Sequence, residues 1–138
     1  MNAKEYLMRY KNYDSRIKIL QAEIESLRTQ AEGMNINLDG LPKGQGAKDK
    51  TARLAILLAE CETKLTEELS AAWKVRMEIV ETLGKLSHKH QRLLHEYYIQ
   101  NKTWEVVAVD LGITWRYCYM LHGSALNELN QILNSEEN

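Results

Sequence analysis

Apolar side chains in the first quarter of this chain return at alternating steps of four and three: Tyr6, Tyr10, Tyr13, Ile17, Leu20, Ile24, Leu27, Ala31 and Met34. A seam sustained over four such repeats is the pattern of a helix packed lengthwise on another helix, since only one narrow stripe of its surface is apolar. Asn2 with Glu5 three residues on marks its start, because each side chain can reach the other's backbone N–H. The three tyrosines fall on the seam and are read as packing residues rather than as a ligand-stacking stripe.

A second stripe, Leu54, Leu58, Cys61, Leu65, Leu69, Ala72, Val75, Ile79 and Leu83, predicts another long helix over residues 49–83. Its alternation slips between Leu65 and Val75, where two steps of four precede two of three; such slips locally unwind or overwind a supercoil. Residues 33–50 separate the two stripes and hold four glycines and the only proline of the chain, Pro42. They predict a loop long enough to fold the helices back as an antiparallel, coiled-coil-like hairpin. The Gly-Gln-Gly in this run follows no strand and lacks the glycine spacing of a phosphate-binding loop. Ile56, Leu57, Trp73 and Val80 form a second apolar edge, which a partner hairpin would cover. A homodimer through residues 1–83 is therefore expected.

Residues 84–138 read as a separate domain, with Gly84 as the hinge into it. Ser87 is placed to cap a third helix, HKHQRLLHEYYIQ, that buries Leu94, Tyr97 or Tyr98, and part of Leu93. The most constrained stretch follows: TWEVVAVDLGITWRYCYMLHGSAL, residues 103–126. Thr103 is an N-cap, and Val107, Ala108 and Leu111 share one helical face. Gly112 can leave the helix through positive φ, Ile113 plugs the corner, and Thr114 caps again. Cys118, Leu121 and Leu126 face inward from the next helix, which Leu129, Ile132 and Leu133 continue. With no strand-like alternation anywhere, the fold class is all-α: a long N-terminal helical hairpin followed by a C-terminal helix-turn-helix domain.

The run also resembles the DNA-binding region 4 of bacterial sigma factors. It is closer still to small phage-encoded proteins that carry this region at the C-terminus, behind a long helical part. Their Thr-Trp-Glu-Glu-Ile-Ala and Leu-His-Gly-Arg-Ala-Leu signature is matched at Lys102, Thr103, Trp104, Glu105, Ala108, Leu111, Arg116, Tyr119, Leu121, His122, Gly123, Ala125 and Leu126, and the opening MNAKEYL is similar to theirs. The resemblance implies a phage or prophage transcription regulator of the late-gene activator type, with double-stranded DNA as partner, RNA polymerase as a further candidate partner, and the cytoplasm of a bacterial host as its location. Met120 and Ser124 stand where such proteins usually carry Arg or Lys.

In this arrangement the second helix enters a major groove, reading base edges with donors and holding phosphates with cations. Its outward face is expected to hold Thr114, Trp115, Arg116, Tyr119 and Met120. Arg116 can serve bases and phosphates, Thr114 can bond either, and the aromatic rings can pack on sugars or a thymine methyl. Lys102, Thr103, Lys89 and Arg92 complete the expected DNA-binding set, with Glu105 near the backbone where the first helix crosses it.

Charge weighs against strong binding. The formal net charge is −1, and the second part holds five cations (Lys85, Lys89, Arg92, Lys102, Arg116) against six acids. The aromatic, cation-poor face of Trp115, Tyr119 and Met120 instead has the composition of a protein interface, so a module contacting RNA polymerase is the alternative. A phage DNA-packaging subunit of the small terminase type ranks below it, because its usual order places the DNA domain first.

No enzyme, cofactor or metal is expected. His88 and His90 are two apart and share no helical face, and no carboxylate pair converges on them or on His95. Cys61 and Cys118 make neither metal nor disulfide spacing, and Cys118 falls on a buried face. There is no uncharged apolar run long enough for a membrane span and no secretory signal.

Overall fold

The computed structural model describes residues 1–36 and 45–137. It is all-α, with α1 Ala3–Ile36, α2 Gln45–Leu83, α3 His88–Leu94, α4 Trp104–Leu111 and α5 Trp115–Glu137. A π-helical turn, His95–Ile99, continues α3. No strand occurs among the described residues, and none of their helices is long and apolar enough to cross a membrane. Contacts divide the chain into two compact units, one of Met1–Tyr13 with Ala72–Asn138 and one of Asp14–Ala71.

The expected loop over residues 33–50 is corrected at both ends. Helix α1 runs on to Ile36 and α2 begins at Gln45 rather than near 49. A glycine inside a helix costs only about 1 kcal/mol relative to alanine, so Gly33 weakens α1 without ending it. The remainder of that expected loop, residues 37–44 with Pro42, lies outside the described residues.

The unit Asp14–Ala71 is an antiparallel pair of helical segments. Ile17, Ile24, Leu27 and Leu54 are buried along it, as the seams predict. Arg16–Glu68 at 3.4 Å and Arg28–Glu62 at 3.0 Å bridge the two helices at their surface. Such exposed pairs set register more than stability. Leu69 is a departure: it is exposed, because the two successive steps of four carry it to the margin of the stripe. Ile56 and Leu57 are exposed as well.

The other unit holds the larger core. Ala3, Tyr6 and Leu7 from α1 and Val75, Ile79 and Leu83 from α2 join Leu93, Leu94, Tyr98, Val107, Cys118, Ala125 and Leu129 in one buried cluster. Leu7 is off the seam yet fully buried, since here α1 packs against more than one neighbour. The Tyr6 hydroxyl lies 2.9 Å from Thr82 Oγ1, and the Ala3 N–H donates to Asn130 Oδ1 of α5 at 2.6 Å. Asn2 and Glu5 form the reciprocal capping pair: the Glu5 N–H donates to Asn2 Oδ1 and the Asn2 N–H to Glu5 Oε2.

Ser87 occupies the N-cap of α3 but does not cap it with its side chain. Glu128, on α5, takes that role: its Oε1 accepts the Ser87 N–H at 2.7 Å, and its Oε2 accepts the Ser87 hydroxyl at 3.1 Å and lies 2.5 Å from His90 Nδ1. The Ser87 backbone bond leads the interactions that hold the Glu128 carboxyl below its ordinary range, with His90 assisting. A group with a depressed folded pKa contributes stability above its unfolded value and loses it as pH falls through the folded one. Glu128→Gln should therefore cost about 1 kcal/mol at neutral pH, the usual size of a lost cap, and flatten the acid limb of stability below the carboxylate range. Urea unfolding at a series of pH values checks both.

Candidate nucleic-acid interface

The geometry of residues 103–126 follows from its caps. Thr103 is extended, and its hydroxyl accepts the Val106 N–H at 3.3 Å. At the other end of α4, Gly112 adopts φ +67, the left-handed region where a side chain is strained. Its N–H donates to Val109 O at 3.1 Å and that of Ile113 to Ala108 O at 3.0 Å, the paired bonds of a Schellman ending. Thr114 then caps α5 by accepting the Tyr117 N–H at 3.1 Å. Val107, Ala108, Cys118, Ala125 and Leu129 are buried beneath this corner. A helix-turn-helix results, its second helix presenting its first two turns outward.

All five residues expected on that face are exposed: Thr114, Trp115, Arg116, Tyr119 and Met120. Trp115 and Tyr119 stack on each other, with ring centroids 6.2 Å apart. The Arg116 guanidinium pairs with no carboxylate among the described residues. Lys89 is likewise exposed and unpaired there, and it lines a cleft of about 260 Å³ with Arg92, Ile113, Tyr117 and Leu121. The structure thus brings Lys89 and Arg92 beside the start of α5. Tyr117 completes this cleft and had no distinguishing signal in the sequence, where it is one aromatic among several.

Two expected contacts are differently placed. Lys102 donates to Asp110 Oδ2 and to Glu96 Oε1, both at 2.8 Å. These carboxylates, Asp110 first, raise its pKa, while Lys102 in turn holds the Asp110 carboxyl low. The Arg92 guanidinium donates to the Asp110 carbonyl at 3.0 Å, and its Nε lies 3.7 Å from Glu96 Oε2. Both cations are engaged within the domain, and Thr103 acts as a helix cap. The charge offered outward is correspondingly reduced.

Behind the corner lies an aromatic cluster. Tyr97 stacks on Trp104 at 3.7 Å with planes 11° apart, Trp104 meets His122 edge-on at 4.5 Å, and the Lys11 ammonium sits 3.9 Å from the centre of the Tyr97 ring. The Tyr98 hydroxyl is 2.9 Å from His122 Nε2. Burial pushes Tyr98 up to about 12 and pushes His122 down, with the nearby Lys4 adding to the latter. Both are neutral at pH 7, so the tyrosine O–H donates to the imidazole. Among the described residues no group of three or more His, Cys, Asp or Glu is arranged to hold a metal ion.

Comparison with protein-family models, with curated proteins and with solved structures finds no match for this chain.

A histidine whose folded pKa lies below its unfolded value favours the fold while neutral, and that contribution is lost as protons bind on acidification. His122 and His95 are both depressed in this way, chiefly by burial. The urea midpoint should therefore fall as pH is lowered from about 7 to about 5, and His122→Gln should reduce the fall. An identical pH dependence in the variant would show that His122 is not buried as described.

Proposed function

We propose that this chain is a non-enzymatic DNA-binding regulator of phage or prophage transcription, acting through a helix-turn-helix of the sigma region-4 type. The observation that carries the reading is the outward presentation of Thr114, Trp115, Arg116, Tyr119 and Met120 on the second helix, immediately after the Schellman corner at Gly112. Arg116 reads a base edge or holds a phosphate, Thr114 adds a donor, and Trp115 and Tyr119 pack on sugars or a thymine methyl. Lys89 supplies a flanking phosphate contact. Lys102 and Arg92 add less, because Glu96 and Asp110 already hold them.

One domain of this kind binds weakly. Pairing through the N-terminal helices into a homodimer places two on a two-fold axis, where each reads a half-site. RNA polymerase is the natural second partner of a sigma-like module in the bacterial cytoplasm.

A specific observation also favours the protein-contact alternative. Trp115 is 60% exposed, Tyr119 69% and Met120 63%, and Val106 and Val109 of α4 are exposed beside Glu105. An aromatic and aliphatic surface with a single cation is typical of protein interfaces.

Recovery of fragments of the encoding genome at about 50 and 200 mM salt separates the two readings, because phosphate contacts make affinity fall steeply with salt. Selective, salt-sensitive recovery of one promoter-proximal fragment is the expected result. On that fragment Arg116→Ala should cost about 1–3 kcal/mol. No recovery at either salt by folded protein would move the assignment to the polymerase contact.

A further inference from the structure

Beside α3, and apart from the outward face of α5, lies a cleft of about 440 Å³. His88, Gln91, Arg92, His95, Gln100 and Lys102 line it, with Val80 at one edge. Every one of these six polar side chains can donate a hydrogen bond. The carboxylate in the wall, Glu96, is 6% exposed; its Oε2 is sealed from solvent and accepts no hydrogen bond, though the Arg92 guanidinium lies near it. Buried beneath the cleft, Glu96 fixes Lys102 through Oε1 and draws Arg92 inward.

The backbone around this cleft is unusual at two further points. His95–Ile99 forms a π-helical turn, with the Gln100 N–H donating to His95 O at 3.0 Å. Asn101, next to Gln100 and Lys102, adopts φ +57, the one non-glycine residue among those described with positive φ. Single π turns and left-handed non-glycine residues carry a local cost and concentrate at functional sites. Here both serve to turn His95, Gln100 and Lys102 toward one space.

We propose that this cleft binds a phosphate-bearing anion, held by Arg92 and Lys102 and completed by His95, Gln91 and Gln100. A lysine ammonium has three donors and Lys102 uses two on Asp110 and Glu96, so one remains; the Arg92 fork likewise keeps donors beyond those used on Asp110 and Glu96. Two cations, Arg92 and Lys102, meet the lining carboxylate Glu96, with Asp110 beside Lys102, so spare donors rather than net charge suit the cleft to an anion; Arg76 also acts on His95. His88 and Arg92 on α3 are the other titratable or charged groups facing it. The phosphate comes from a DNA backbone or from a free phosphate compound. The inference stands without the DNA reading, since its first test uses no DNA.

The test follows the imidazole resonances of the full chain by NMR in a pH titration, with millimolar inorganic phosphate or adenosine monophosphate against chloride at equal ionic strength. A bound anion favours the protonated ring, so the His95 pKa should rise by about half a unit or more, saturably, while that of His122 stays in place. Arg92→Gln, on an exposed side chain, should weaken this saturation about tenfold; Gln100→Ala, also exposed, should weaken it less. Phosphate that leaves His95 unmoved, or saturation unchanged in Arg92→Gln, overturns the proposal. Adding duplex DNA then identifies the source. Displacement of phosphate by DNA assigns the cleft to the backbone, and simultaneous binding assigns it to a free anion.

Discussion

The ring of Tyr97 is held between the Lys11 ammonium on one face and the Trp104 indole on the other, and the C-terminal helices are arranged around that sandwich. Few contacts tie so much together. Lys11 belongs to α1, Tyr97 to the π turn, and Trp104 opens α4, while His122 of α5 closes on the indole edge. A desolvated cation over an aromatic ring contributes up to about 2 kcal/mol, and an aromatic pair about 1 kcal/mol beyond its buried area. More important is the direction this imposes. With Trp104 fixed, α4 begins in one orientation, Gly112 turns the chain, and the first turns of α5 have one place to go.

Much of this was legible in the sequence because it is local. The seam residues Ile17, Ile24 and Leu27, the Asn2–Glu5 cap, the Thr103 and Thr114 caps and the left-handed Gly112 all depend on neighbours within a few positions, and each is found as the pattern predicts. The departures come from partners far along the chain. Ser87 makes no capping bond of its own because Glu128, 41 positions away, takes its hydroxyl as well as its N–H. Both Tyr97 and Tyr98 are used, where helical periodicity allows a choice of one, because the π turn brings consecutive side chains into contact with different neighbours. Leu7 is buried by helices that a seam count cannot anticipate. For the candidate site, exposure of the five α5 residues followed from periodicity, whereas neutralisation of Lys102 by Asp110 and Glu96 depended on where α4 and the π turn meet.

The charge pattern has a common logic. Acidic and basic side chains are nearly equal in number, and the structure spends several of them on internal order: Lys85 with Glu136, Lys102 with Glu96 and Asp110, His90 with Glu128. Lys89 and Arg116 are left facing outward near the corner. A surface built this way has a weak net field, and its long-range attraction to a polyanion is weak.

The unit that carries the helix-turn-helix is discontinuous, since Ala3 binds Asn130 across a separation of 127 residues. During translation, residues 1–13 leave the ribosome on the order of ten seconds before the last of their partners. For part of that interval Tyr6 and Leu7 have only the α2 share of their core, Val75, Ile79, Thr82 and Leu83, and α4 and α5 are made after both. Closing so long a loop adds little entropy relative to a medium one, but it makes the closing step late and slow. The helix-turn-helix corner therefore rests on a core drawn from both ends of this unit, and a fragment lacking residues 1–13 leaves that core without Ala3, Tyr6 and Leu7.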